Sequence, residues 1–146
     1  MRVVIDTNVV VSAFLSNTGA PAQLLAHLER EAFVLLVSEP ILHEYEQALN
    51  YPKVRTRHRM SRAEIAETIT DLCAVALLVD PAADFPDGLR IVAADPDDDK
   101  FFECAAAGNA THIVSGDAKV QAVRDWRGIR VVSPAHFLEL LQQDHD

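Results

Sequence analysis

The sequence is poor in the residues that brace small secreted domains. It has two cysteines in 146 residues, Cys73 and Cys104, without CxxC spacing and each set among Ala, Leu or Phe. That excludes a disulfide framework or a cysteine zinc site and fits buried free thiols in a reducing cytosol. Long apolar runs are also missing. The first, Arg2-Val3-Val4-Ile5, turns polar at Asp6. It is too short for a signal-peptide core or a membrane span, so the expectation is a cytoplasmic protein with no membrane partner. No GxxxxGK or GxGxxG run is present to cradle nucleotide phosphates. No His pair or Ser–His–Asp arrangement is legible for acid–base or nucleophilic catalysis.

Positive charge is scarce as well: 13 Lys and Arg face 22 Asp and Glu, a net charge of −9. Taken alone this argues against a polyanionic partner. The basic residues are unevenly spread, however. Lys53, Arg55, Arg57, Arg59 and Arg62 place five of the thirteen within ten positions. That run is either a solvated connection or a strip of phosphate contacts that weaken with salt. Tyr51 is the only aromatic residue beside it, so base stacking is not indicated.

With 49% hydrophobic residues and no low-complexity tract, the chain reads as one globular domain over residues 1–146. A chain of this length buries roughly two-thirds of its unfolded surface. Short β-branched runs alternate with helical patterns. Val3-Val4-Ile5, Phe33 to Val37, Ala76 to Val79, His112 to Ser115 and Ile129 to Val132 read as five strands. Ser38-Glu39-Pro40 opens a helix running to about Leu49, and Ser61 with Glu64 has capping-box spacing. Residues 50–60 read as a connection or a frayed helix, and Ile91 to Ala94 as a short helix or an extended stretch. Gly108-Asn109 ends a helix that begins after the acidic cluster. The alternation predicts a three-layer α/β/α sandwich on a mainly parallel five-stranded sheet.

In such sheets ligands bind beyond the carboxyl ends of the strands, near the point where strand order reverses. Asp6 and Asp117 each follow a predicted strand. Glu44 lies six residues into the helix after the second strand, and Asp95-Pro96-Asp97-Asp98-Asp99 packs four acids into five positions. Each has an ordinary reading. Asp6 and Asp117 suit helix caps, Glu44 a solvated face, and Asp95-Pro96 a turn. His43 reads as a structural histidine and Glu46 as a surface acid. Four converging carboxylates would instead carry about −4, and oxygen-only ligands select Mg²⁺ or Mn²⁺.

Four stretches together carry a family resemblance. They are Val3-Val4-Ile5-Asp6-Thr7-Asn8-Val9, Ser38 to Glu44, Asp95 to Ala105, and Ile113-Val114-Ser115-Gly116-Asp117. In order and across nearly the whole chain, the sequence resembles PIN-domain proteins, in particular the toxin branch of toxin–antitoxin pairs related to VapC-type ribonucleases. The resemblance implies a metal-dependent endoribonuclease using one or two Mg²⁺ or Mn²⁺ ions. It also implies a homodimer, an RNA substrate and a cognate antitoxin. On the family's pattern the catalytic and metal-binding acids match Asp6, Glu44, Asp99 and Asp117, Asp99 being fixed by its eighteen-residue separation from Asp117. Ser115 matches a small hydroxyl position. Asn8 would orient Asp6 or a metal-bound water, with Asp97 and Glu103 as outer supports. An acid often found two residues after the last is here Lys119.

Two other enzyme classes begin with a strand and an acid. A haloacid-dehalogenase phosphatase wants a second acid where Asn8 stands, and a receiver domain wants paired acids after its first strand. A non-catalytic RNA- or antitoxin-binding module is the remaining alternative.

Overall fold

A computed structural model describes residues 1–89 and 95–145; the ambiguous stretch Ile91 to Ala94 lies outside them. The chain begins with β1 (Arg2–Ile5), α1 (Thr7–Leu15), α2 (Ala20–Glu29) and β2 (Val34–Val37). Next come α3 (Glu39–Asn50), α4 (Pro52–His58), α5 (Arg62–Val75), β3 (Leu77–Leu78) and α6 (Pro81–Asp84). A 3-10 turn at Pro96–Asp98 leads into α7 (Asp99–Ala107), followed by β4 (His112–Val114) and α8 (Ala118–Gln121). The chain closes with β5 (Asp125–Trp126), β6 (Ile129–Val132) and α9 (Pro134–His145).

The β-branched runs become strands because only a sheet covered on both faces buries every residue of them. Val3, Val4, Ile5, Leu35, Leu36 and Val37 have at most 1% of their surface exposed. The strand order is β3-β2-β1-β4-β6-β5, with all neighbours parallel except β5 and β6. From β1 the chain moves out through β2 to β3, then crosses back to β4 on the other side of β1. Right-handed crossovers put the outgoing and returning helices on opposite faces. The strand order therefore reverses between β1 and β4, and their carboxyl ends open a crevice.

Among the described residues the sheet has six strands where five were expected. The extra one, β5, pairs antiparallel with β6 through Trp126 and Ile129. Between them Arg127 and Gly128 have φ of 54° and 79°. Left-handed conformation at both central residues is the type I′ turn that suits the twist of a two-residue hairpin. Residues 52–58 form a helix, capped by an Arg59 with φ of 60°, which decides between the connection and the frayed helix expected there. The third strand shrinks to Leu77 and Leu78, which are 42% and 54% exposed because β3 is an edge.

Two tertiary contacts fix the helices that frame the crevice. Tyr45 of α3 is fully buried and donates its hydroxyl to the carbonyl of Ile5, the last residue of β1. At the other end of α7, the left-handed residue is Asn109, with φ of 55°. Gly108 serves a different need, close approach. A Cβ there would sit 2.7 Å from Leu36 Cδ1 and 3.1 Å from both Cys104 O and Val79 Cγ2. Gly108→Ala is therefore expected to cost roughly 1–3 kcal/mol through overpacking. Chemical denaturation should show a lower midpoint, and an unchanged midpoint would refute the contact.

Candidate active site

Asp6 is the first residue beyond β1 and is only 5% exposed. Its backbone N–H continues the β1–β4 ladder by donating to Val114 O at 2.9 Å. It stands at the N-cap of α1 without a full side-chain capping bond, the Asn8 backbone N–H being its approach to one. Its Oδ2 instead accepts the Ser115 hydroxyl at 2.6 Å, and Ser115 Oγ in turn accepts the Asp117 N–H at 3.0 Å. This relay joins the ends of β1 and β4. Burial raises the Asp6 pKa above the ordinary carboxylate value, helped by the charges of Glu44 and Asp117; the Ser115 hydroxyl and the Asn8 backbone N–H pull it down. Desolvation wins this contest, which is the expected sign for an ionisable group taken out of water without a cation. Asn8 thus acts on Asp6 through its backbone, while its side chain is exposed.

Glu44 reaches the same crevice from the middle of α3, on the turn that the Tyr45 hydroxyl anchors to β1. Both of its oxygens are engaged. Thr7 Oγ1 donates to Oε2, and Lys100 Nζ lies 2.5 Å from Oε1. Sequence reasoning missed both partners. Thr7 had a usable signal, a hydroxyl directly after a strand-end acid; Lys100 had none. His43, next to Glu44, is exposed.

The acidic run divides its labour. Asp95 Oδ1 accepts the Asp97 N–H at 3.0 Å, so the expected turn forms. Asp97 is exposed and is not among the charges that act on Asp6 or Asp98. Asp98, one residue before the acid that the family's pattern selects, comes into the cluster. Its pKa is pushed up to about 6, first by burial and then by the charges of Asp6, Asp117, Asp95 and Glu44. That rise corresponds to about 3 kcal/mol of disfavoured charge, of which solvent screening leaves roughly half or less at so exposed a group. Asp99 opens α7, and its Oδ1 is buried with no hydrogen-bond partner. Asp117 Oδ1 caps α8 by accepting the Lys119 N–H at 2.9 Å, while its charge still reaches Asp6 and Asp98. Glu103 is occupied elsewhere: its Oε1 accepts the Leu89 N–H at 3.0 Å and pins the loop after α6.

The residues fit a hard divalent cation. The donors are all oxygens, burial and neighbouring acids hold two of the carboxylates above their ordinary pKa, and one buried oxygen of Asp99 is orphaned. Among the described residues no three His, Cys, Asp or Glu side chains are already drawn together as a cage. Beside the cluster a cavity of about 640 Å³ is lined by Ser38, Pro40, Leu78, Phe85, Lys100 and Glu103, among others. The basic residues stand apart on and after α4, which packs against α1 and α3. Arg55 Nε and Asn50 Oδ1 are buried there without partners, while Lys53, Arg57, Arg59 and Arg62 are exposed.

A parallel α/β sandwich whose switch point is lined by acids from four segments of the chain defines an acid-lined α/β domain. The chain belongs to the PIN domain family, whose sequence profile matches residues 2–119. Members of this family are typically nucleases and generally use divalent metal ions. An uncharacterised protein of Methanocaldococcus jannaschii is 29% identical over 147 residues, covering 95% of this chain and 90% of its own. The fold is shared with a chain in the crystal structure of VapBC2 from Rickettsia felis bound to a DNA fragment from their promoter. The TM-score is 0.60 at 16% identity, over 91% of this chain and 98% of that one. Among the described residues, no single helix is long and apolar enough to cross a membrane.

The raised carboxyls make a pH prediction. Asp98 binds its proton more tightly folded than unfolded, so between about pH 4 and 6 the folded state holds more protons and stability falls as pH rises. His112, whose pKa burial lowers, works in the opposite direction. The comparison that isolates Asp98 is melting in EDTA at pH 7.5 and pH 5. Wild type should gain stability on acidification relative to Asp98→Asn, by up to about 1 kcal/mol. Identical pH responses in the two proteins would show that Asp98 does not feel the other acids.

Proposed function

We propose that this protein is a metal-dependent endoribonuclease, the toxin component of a toxin–antitoxin pair. The observation that carries the reading is that Asp6, Glu44, Asp98 and Asp117 lie close enough at one crevice for their charges to raise the pKa of Asp6 and Asp98. Family membership supports nuclease chemistry, and the fold shared with a VapBC2 structure supports the pairing with an antitoxin.

In this reading Asp6, Glu44, Asp117 and the Asp98-Asp99 pair hold Mg²⁺ or Mn²⁺, as one or two ions. The bound ion supplies activation of a water for in-line attack on phosphorus and neutralisation of the leaving oxygen. The chain's own part is positional. Ser115 holds Asp6 Oδ2 and keeps the strand-end acids in register. Thr7 orients Glu44, and the Tyr45–Ile5 bond sets α3 at the right height above β1. Ser115→Ala would leave a buried carboxylate oxygen unpartnered, a defect of about 1–3 kcal/mol. Attack by water rather than by the 2′-hydroxyl would leave a 5′-phosphate and a 3′-hydroxyl. The exposed basic residues of α4 contact phosphates away from the scissile bond, the protein works in the cytoplasm, and it pairs with a second copy of itself.

Cleavage of mixed cellular RNA in Mn²⁺ tests this directly. Asp6→Asn, Asp98→Asn and Asp117→Asn should each lose on the order of 100-fold or more in rate, and EDTA should abolish cleavage. Activity that survives EDTA, or all three substitutions, would refute the metal mechanism. Metal binding without a product from any RNA class would favour a binding module instead. A second measurement addresses α4. Replacing Lys53 and Arg57 with Gln should weaken RNA binding at low salt and shallow its salt dependence by up to about two counterions. An unchanged slope would return the strip to a solvated surface.

A further inference from the structure

Lys100 forms the only salt bridge among the described residues, and it forms it inside the acid cluster. Its ammonium lies 2.5 Å from Glu44 Oε1, with the two side chains 24% and 31% exposed. Thr7 takes the other oxygen, so each Glu44 oxygen already has a partner. Those three acids meanwhile repel one another through the same space. The positive charge in the crevice therefore sits on Glu44, whose other oxygen a hydroxyl already holds. Lys100 is the second residue of α7, directly after the Asp98-Asp99 pair, and its side chain also lines the 640 Å³ cavity next to the cluster. A lysine is a compact point charge on a flexible four-carbon stem, which suits a contact that must be released; an arginine would grip the carboxylate through two bonds.

We propose that Lys100 is a resident counter-cation. It holds Glu44 in the metal-free protein and surrenders it when a divalent ion enters, and the freed ammonium turns into the adjoining cavity, where a substrate phosphate would meet it. This rests on the nuclease reading, because it takes Glu44 as a metal ligand. Metal loading is then an exchange of one cation for another rather than the filling of an empty cage. Lys100 acts through Glu44 and so is a positioning residue.

The test is calorimetric titration of the full-length chain with Mn²⁺, in wild type, Lys100→Met, Glu44→Gln and the double variant. Lys100→Met should bind Mn²⁺ roughly three- to tenfold more tightly, because Glu44 no longer has a competitor. In the Glu44→Gln background the same substitution should have little effect, since the coupling runs through that carboxylate. Melting adds an independent readout: Lys100→Met should be less stable than wild type in EDTA and should recover the difference at saturating Mn²⁺. Lys100→Arg, which keeps the charge and grips Glu44 harder, should bind Mn²⁺ no more tightly than wild type. It also serves if the methionine variant fails to fold by circular dichroism.

Unchanged or weaker Mn²⁺ affinity in Lys100→Met would overturn the exchange while leaving the nuclease reading intact. An equal gain in both Glu44 backgrounds would reduce Lys100 to a diffuse charge effect and also refute it. Absence of Mn²⁺ binding by wild type would sink both proposals together.

Discussion

Asp6 is a carboxylate almost out of water at the place where strand order reverses, and the site is arranged around that cost. Desolvation opposes its charge, two neighbouring acids oppose it further, and only a hydroxyl and a backbone amide favour it. A buried charge without a counter-ion persists only when the surrounding structure is strong enough to impose it. Here the imposing structure is the pair of central strands, β1 and β4, with no exposed residue in Val3 to Ile5 or Ile113 to Ser115. The Ser115 relay then converts sheet register into carboxylate position. A slip of one residue would turn the side chains of either strand to the opposite face and break that relay.

Much of this could be read from the amino-acid sequence, for identifiable reasons. Runs such as Val3-Val4-Ile5 and Leu35-Leu36-Val37 are legible because fully buried parallel strands need β-branched and aliphatic residues on both faces. The capping box of Ser61 and Glu64 appears as expected because it is a purely local device. The hairpin strand β5 was not legible. It is two residues long, and its turn puts Arg127 in a left-handed conformation that sequence alone does not announce. Helix α4 was legible only as one of two readings, since five basic residues in ten positions suit a solvated connection as well as a helix.

The site was legible in outline and blurred in detail. Strand-end acids can be placed by counting, because a strand ends at a definite residue. A run of adjacent aspartates cannot be resolved that way. Whether Asp98 or Asp99 enters the crevice depends on the 3-10 turn at Pro96–Asp98, which rotates the chain just before α7 begins. The structure brings Asp98 into the field of the other acids and leaves Asp99 with a buried orphan oxygen, so the run supplies two neighbouring carboxylates where spacing pointed to one. The Lys100–Glu44 pair joins residues 56 positions apart and had no local signal at all.

The strand order also sets when the molecule can exist. β1 is made first, yet it sits between β2 and β4, and the Ser115–Asp6 bond spans 109 residues. Contacts that distant in sequence pay a large loop-closure cost before they return any stabilisation. On the ribosome, Asp6 must wait for 109 further residues before its hydroxyl partner has been synthesised. Any activity that depends on those strand ends is therefore withheld from nascent fragments. A truncated product carrying the first three strands would have Asp6 and Glu44 but no crevice to put them in.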